Sequence, residues 1–182
     1  MFILVKLDLP TATSLLERFQ HSQTGATFSS DERYRYLLWR RWSSSQLALF
    51  IGLNPSTADA ANDDPTIRRI TGFSRSLGFG GFLIVNLFAF RATKPIDLFA
   101  SSDPIGPEND AWIDTAAQLT STRVACWGTH GLRCDRAATV RHRLQPLAAL
   151  AITKLGEPSH PLYLPKGTTL VNLPATLLCG EA

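Results

Sequence analysis

The feature that most constrains the fold of this chain is a pair of short apolar runs that no polar residue interrupts. One run covers residues 47–51 (LALFI) and is followed by Gly52; the other covers residues 82–85 (FLIV) and is followed by Asn86. A strand with one face in water alternates apolar and polar side chains, whereas a strand covered on both faces does not. Both runs are therefore predicted to be central strands of a helix-covered sheet.

Helical patterns separate these strands from others. Apolar residues at helical spacing predict a helix over residues 11–22, with Thr11 as its N-cap, and Asp64 followed by Pro65 is a strong signal for the start of another. Further helices are predicted over residues 107–119 and 132–144, and further strands over 123–127 and 148–155. Strands that alternate with helices predict right-handed βαβ crossovers. We therefore expect an α/β fold with three layers, a mostly parallel central sheet and helices on both of its faces.

The first part of the chain is interpreted as a hairpin. Residues 34–38 form a β-rich stretch, and three serines at 43–45 separate it from the apolar run 47–51. Residues 25–31 and the long stretch between Asn86 and Pro107 are predicted to be loops. The tail after Val171 receives no assignment.

The composition limits the class of protein. A chain of 182 residues, of which 45% are hydrophobic, fits one domain over residues 1–182. The net charge of +3 and the pI of about 9.0 permit a nucleic-acid partner without requiring one. The apolar start of the chain, residues 1–5, is too short for a signal-peptide core or a membrane span. We expect a cytoplasmic monomer with no membrane partner.

The three cysteines, Cys126, Cys134 and Cys179, are too few and too irregularly spaced for a disulfide framework, a zinc ribbon or an iron–sulfur cluster. We expect free thiols, and neither a metal nor another cofactor is predicted.

Asparagines follow both central strands. Asn54 lies just after Gly52, in a turn with Pro55 and Ser56, and Asn86 ends the second strand. The carboxyl ends of parallel strands share one edge of a sheet, which is where open α/β sheets bind ligands. A carboxamide offers a donor and an acceptor, so Asn86 could read the edge of a nucleobase. For Asn54 and Pro55, the alternative is a turn with no function.

Other candidates lie in the segments that reach the same edge. Phe88 or Phe90 could stack on a ring, although phenylalanine is more often a core residue, and Arg91 is a candidate for substrate binding. Gly52 would let a ligand approach the backbone, and Gly128 follows the strand at 123–127 at the same edge, so both are candidates for substrate binding. These assignments predict a binding site for a heterocycle.

The loop over residues 159–165 (SHPLYLP) contains the third candidate group. His160 could donate a hydrogen bond to a developing anion, and Leu162 and Tyr163 could probe a duplex. The alternative is a surface turn whose imidazole has no function.

A charged segment precedes the helix that starts at Pro65. Asp64 is assigned to the cap of that helix, which leaves Asp63 as the freer carboxylate for general-base chemistry. Arg68 and Arg69 lie in the first turns of the helix and are candidates for phosphate binding, although solvated arginines are the commoner outcome.

Taken in order, these motifs resemble those of the uracil-DNA glycosylase superfamily: a strand followed by Gly-x-x-Pro, a strand ending in Asn, a strand ending in Gly, and a late His-Pro loop. They occur here at residues 52–55, 83–86, 124–128 and 160–163. The resemblance implies a uracil-DNA-glycosylase-like fold. It also implies that Asn54 positions the attacking water, as in the mismatch-directed branch, that Asn86 reads a flipped base, that His160 stabilises the departing base, and that Leu162 or Tyr163 probes the duplex.

The chain is more closely similar to the DUF1643 family, whose hallmark run (NPSTAD, DDPTIRR, NLF, RAT) is present over residues 54–93. Membership of that family does not by itself imply an activity.

The leading functional hypothesis is hydrolysis of an N-glycosidic bond in a nucleobase-containing substrate, with base flipping if the substrate is DNA. Fixed donors near the base would stabilise its negative charge as it departs. Asn54 can orient water but cannot act as a base, so either modest turnover or help from Asp59 or Asp63 is expected. Two alternatives remain open: a module that binds a nucleotide or modified DNA without chemistry, and a metal-assisted nucleotide hydrolase that uses Asp59, Asp63 and Asp64.

Overall fold

The computed structural model describes residues 11–175, and its centre is a seven-stranded sheet. The strand order is β1-β2-β4-β3-β5-β6-β7. The four neighbours β4, β3, β5 and β6 run parallel, β1 shares their direction, and β2 and β7 run the opposite way. The strands are β1 (Thr24–Phe28), β2 (Arg35–Arg41), β3 (Leu47–Gly52), β4 (Gly81–Asn86), β5 (Thr122–Ala125), β6 (Leu147–Ala149) and β7 (Val171–Leu173).

Helices cover both faces of this sheet. The α2 helix packs on one face, against alternate residues of β3 and β4 such as Phe50 and Phe82, whereas α1, α4 and α5 pack on the other face against residues such as Leu49 and Leu83. The expected α/β class, with a mostly parallel central sheet and helices, is confirmed. The helices are α1 (Ala12–His21), α2 (Pro65–Ser76), α3 (Pro95–Ala100), α4 (Asn109–Gln118) and α5 (Arg136–Arg143), with 3-10 helices at Thr129–Asp135 and Pro161–Tyr163.

The two capping predictions are confirmed. The Thr11 hydroxyl accepts a hydrogen bond from the backbone N–H of Ser14, and the Asp64 carboxylate accepts one from the backbone N–H of Ile67 at 2.8 Å. Each cap satisfies a donor that the first turn of a helix leaves unpaired. The start of α2 also forms one wall of the cavity described below.

The predicted hairpin is wrong. β2 and β3 are not neighbours, because β4 lies between them and pairs with both. The predicted loop at 25–31 is also wrong, since Thr24–Phe28 forms the edge strand β1 beside β2. Gly25 permits this pairing: a Cβ at Gly25 would lie 2.0 Å from the indole ring of Trp39.

Three other elements differ from their predicted bounds. The predicted loop before Pro107 contains the short helix α3. The helix predicted over 132–144 is divided, because Asp135 adopts a left-handed conformation (φ 51°) between a 3-10 helix and α5. The strand predicted over 148–155 ends at Ala149, and the chain then folds back so that Ile152 bridges to Pro158.

A bulge in β2 controls which residues face the cavity. Thr27 pairs with Leu37 and Phe28 pairs with Arg35, so β2 holds one extra residue, Tyr36, at this point. The extra residue shifts the alternation of side chains along the strand. As a result Arg35 faces the same side of the sheet as Leu38, which belongs to the core around α2.

The described residues contain no helix long and apolar enough to cross a membrane. Cys126 is a buried free thiol, and burial raises its pKa to about 12, so the thiol stays protonated at neutral pH. Cys179 and the apolar start of the chain lie outside the described residues.

Candidate functional site

A cavity of about 780 Å³ opens at the carboxyl ends of β3, β4 and β5, on the face of the sheet that α2 covers. This volume lies within the range of small-molecule sites, roughly 300–1,000 Å³. Its polar lining comes from several separate segments of the chain. The polar and charged residues that the argument uses are Arg35, Asn54, Ser56, Asp64, Asn86 and His160.

Asn86 lies on the sheet side of the cavity, opposite Gly52. The two residues are in register between β3 and β4, and a Cβ at Gly52 would lie only 2.7 Å from Oδ1 of Asn86. The Asn86 side chain therefore occupies space that only glycine leaves open. The residue is 2% exposed, and its Nδ2 has no hydrogen-bond partner. A buried amide donor without a partner is costly, so a ligand that accepts from it would restore a lost interaction.

Asn54 is fixed by its own amide donor. Nδ2 donates to the carbonyl oxygens of Ala92 at 2.7 Å and Pro55 at 3.0 Å, which ties the turn after β3 to the segment after β4. The backbone N–H of Ala92 in turn donates to the carbonyl of Pro55. With Nδ2 engaged, Oδ1 is left as the acceptor of this side chain. Ser56 lines the cavity, whereas Pro55 is buried beneath the turn.

His160 forms the opposite wall. Its Nδ1 accepts a hydrogen bond from the backbone N–H of Leu162 at 3.4 Å, so the neutral ring carries its proton on Nε2. Desolvation lowers the pKa of His160, and the carboxylate of Asp64 opposes this only in part. His160 is therefore a neutral donor near pH 7. Gly128, whose φ is +72°, packs beside it, with its hypothetical Cβ 3.7 Å from the Cβ of His160.

A buried ion pair supports this wall from behind. The Glu157 carboxylate accepts hydrogen bonds from Nη2 of Arg141 at 2.9 Å and from the indole N–H of Trp127, which lines the cavity. The side chains of Arg141 and Glu157 are 3% and 1% exposed. The backbone N–H of Gly128 donates to the carbonyl of Pro158, so the segments at 127–128 and 157–160 are held together.

Leu162 and Tyr163 lie at the mouth of the cavity. They are 41% and 84% exposed, and both contribute to its lining. Arg69 holds this loop: its guanidinium donates to the carbonyl oxygens of Leu164 and Pro161 and lies over the ring of Phe73. The structure thus gives Arg69, which was predicted to bind phosphate, a structural contact with the loop.

Besides Pro55 and Arg69, several other predicted site residues do not line the cavity. Asp63 forms an ion pair with Arg40 at 2.7 Å, and Arg68 donates to the backbone carbonyl of Asp63. Phe88 is fully buried in the core, where its ring packs edge-on against Phe99, and it is not available to stack on a ligand. Arg91 lies over Phe28 and lines a neighbouring groove that shares Ser56 and Thr57 with the cavity.

Arg35 and Asp64 are charged cavity residues that the leading hypothesis did not assign to the site. Arg35 was placed in a strand with no role, and Asp64 was treated as a helix cap or as part of a metal site. One oxygen of Asp64 does cap α2, yet the residue also lines the cavity. The sequence does contain an indication that Arg35 has a role, because a charged residue within the stretch YRYLL is unusual for a buried strand.

The carboxylates of the metal-assisted alternative have different partners. Asp59 accepts from the backbone of Ala61 and from Asn62, Asp63 pairs with Arg40, and Asp64 caps α2. Among the described residues there is no group of three or more His, Cys, Asp or Glu side chains that could hold a metal ion.

Comparison with known proteins gives one family. No curated protein matches the chain, and no solved structure matches it. A sequence profile described as "protein of unknown function (DUF1643)" matches residues 35–162. The matched range starts at Arg35, includes Asn54, Asn86 and His160, and covers more than half of the chain. The chain therefore belongs to the DUF1643 family.

Proposed function

We propose that this protein recognises a nucleobase in the cavity and hydrolyses its N-glycosidic bond. The observation that carries the proposal is the buried amide of Asn86, which lies over Gly52 with Nδ2 unpartnered, in the same cavity as Asn54 and His160. An amide of this kind matches the alternating donors and acceptors of a base edge. The cavity volume of about 780 Å³ has room for a nucleoside.

The order of the motifs supports a uracil-DNA-glycosylase-like arrangement as part of this proposal. The Gly52 turn, Asn86, Gly128 and the His160 loop follow strands or segments that reach one edge of the sheet. The exposed apolar tip formed by Leu162 and Tyr163 at the mouth of the cavity is suited to contact unstacked bases around a flipped nucleotide.

The proposed chemistry divides between three side chains. Oδ1 of Asn54 accepts a hydrogen bond from the attacking water and orients it. Asp64 is the one carboxylate among the described residues that line the cavity, and its oxygen that does not cap α2 accepts the proton of that water. Neutral His160 donates from Nε2 to the departing base, which gains negative charge as the glycosidic bond breaks.

The test uses oligonucleotides that carry uracil, damaged or hypermodified bases, with release of the base and formation of an abasic site as readouts. We expect product with the wild type and its loss in Asn86→Ala and in the double variant Asn54→Ala, His160→Ala. Asn172→Ala, at an exposed position of β7, is the matched control and keeps full activity. If no base is released and the variants bind these oligonucleotides as well as the wild type, the proposal fails.

A second candidate is binding of a nucleotide or of modified DNA without chemistry. The observation that favours it is the engagement of Asp63, the carboxylate predicted to be the base, in an ion pair with Arg40 away from the cavity. Tight binding with no product after long incubation, unchanged by Asp64→Asn, would support this candidate over the enzyme.

A further inference from the structure

We propose that Arg35 forms an anion subsite of the cavity, which binds a phosphate or carboxylate group carried by the ligand. The inference concerns the same cavity as the proposed function and deepens it by naming a chemical feature of the ligand. It does not depend on cleavage of a glycosidic bond.

The first argument is the state of the Arg35 side chain. The residue is 2% exposed, yet it lines the cavity. Nη1 donates to the carbonyl oxygen of Ala58 at 2.7 Å, whereas the buried Nε has no hydrogen-bond partner. Within residues 11–175, no carboxylate lies within ion-pair distance of this guanidinium, although five other arginines of that region have such partners. Arg35 is thus a buried cation with unused donor capacity.

The second argument is the surrounding charge. Desolvation lowers the pKa of Arg35 to about 10; Asp64 and Asp59 favour the charged form, and Arg91 and Arg40 oppose it. The two aspartates offset the desolvation only in part, because the pKa of Arg35 stays below its ordinary value. The neighbouring groups therefore leave part of the cost of burying this charge uncompensated.

The third argument is the way in which the fold holds the group. The bulge at Tyr36 turns Arg35 towards the cavity, and the bond to Ala58 fixes one arm of the guanidinium against the turn after β3. Its Nε edge is the part of the planar fork that remains without a partner. Such an edge binds the paired oxygens of a carboxylate or a phosphate in two parallel hydrogen bonds, and an anion also neutralises the buried charge, which a neutral carbonyl does not.

The first experiment uses inorganic phosphate and acetate as probes. Thermal unfolding is measured with each anion against chloride at equal ionic strength, for the wild type, Arg35→Gln and Arg35→Lys. Arg33→Gln is the matched control, because Arg33 is exposed, lies two residues away and does not line the cavity. We expect a rise in Tm for the wild type and Arg33→Gln, little or none for Arg35→Gln, and a smaller rise for Arg35→Lys, which keeps the charge but loses the fork.

The second experiment identifies the source of the anion. Dissociation constants are compared for uridine with uridine 5′-monophosphate, and for uracil with its ring-carboxylated form, orotate. The anionic member of at least one pair is expected to bind wild type roughly tenfold or more tightly, a gain lost in Arg35→Gln. A gain in the first pair assigns the subsite to a phosphate, and a gain in the second assigns it to a carboxylate on the base.

The proposal is overturned if the wild type gains nothing from either anionic group, a result that needs no variant to fold. It is also overturned if folded Arg35→Gln keeps the full gain. Failure of the proposed function is distinct: phosphate would still stabilise the wild type through Arg35 while no base is released. Base release without any preference for an anionic ligand would refute the anion subsite and leave the proposed function standing.

Discussion

The substitution Gly52→Ala perturbs Asn86, the candidate base-reading residue, from the neighbouring strand and leaves Asn86 itself unchanged. The added Cβ would lie 2.7 Å from Oδ1 of Asn86, well inside contact distance, while its other close neighbours are at 3.8 Å. The overlap with the new Cβ is relieved if the Asn86 amide rotates, so Oδ1 of Asn86 is the atom that must move. Gly52 has no positive φ, so alanine fits the backbone.

The expected effects on stability and binding differ. Rotation of the amide away from its preferred rotamer costs about 0.5–1.5 kcal/mol. Alanine lowers the conformational entropy of the unfolded chain, which stabilises the folded protein by about 0.4–1 kcal/mol. The free energy of unfolding is therefore expected to change by roughly 1 kcal/mol or less. Displacing the amide leaves a ligand group unpaired, which costs about 1–3 kcal/mol. That loss corresponds to a roughly 5- to 150-fold weaker dissociation constant.

The assay combines denaturant unfolding with calorimetric titration of uridine and of an oligonucleotide that carries uracil. Gly72→Ala is the matched control: Gly72 lies within α2 with nothing within 4 Å of its hypothetical Cβ. That control is expected to gain about 0.5–1 kcal/mol of stability and to bind as the wild type does. If Gly52→Ala folds and binds with unchanged affinity, the assignment of Asn86 as the base-reading group is refuted.

Three further predictions concern charged groups. Glu157→Gln leaves Arg141 as an uncompensated buried charge and is expected to lower the free energy of unfolding by about 3–5 kcal/mol, whereas Glu32→Gln, in an exposed ion pair, should cost under about 1 kcal/mol; comparable losses would contradict this. Protonation of His160 at Nδ1 would remove the hydrogen bond from the Leu162 N–H that orients the ring, and the pKa of His160 is lowered by desolvation, so ligand binding should weaken only below about pH 6.5. A loss of binding above that value would argue against His160 as a neutral donor. Asp64→Asn should keep the cap and abolish base release, whereas Asp64→Ala should also lose about 1 kcal/mol of stability; unchanged release by Asp64→Asn would rule out the carboxylate as base.

The local elements nearest the cavity could be predicted from the sequence. The apolar runs that begin at residues 47 and 82 identify β3 and β4, and the pair Asp64-Pro65 identifies the start of α2. A strand buried on both faces and a capped first turn each have a recognisable local sequence pattern. The expectation that Asn54, Asn86 and His160 reach one place follows from the shared edge of parallel strands, and all three line one cavity.

The sequence did not reveal contacts with partners that are distant along the chain. Asp63 was preferred to Asp64 as the free carboxylate because the cap was the only contact visible locally, yet Asp63 meets Arg40, 23 residues away. Phe88 was a candidate for stacking because a loop sequence does not show whether a ring is buried, and Phe99 covers it. Arg35 was missed because its direction depends on a bulge that the sequence pattern does not reveal.

The sequence by itself determined which segments of this protein form buried strands and capped helices, and which residues end those strands, since burial and first-turn hydrogen bonds depend on neighbours within a few positions. Only the tertiary structure decided that β4 separates β2 from β3, that a bulge turns Arg35 into the cavity, and that Gly52 makes room for Asn86. Strand order and register arise from contacts between residues far apart in the chain, and a shift of one residue moves every side chain to the opposite face.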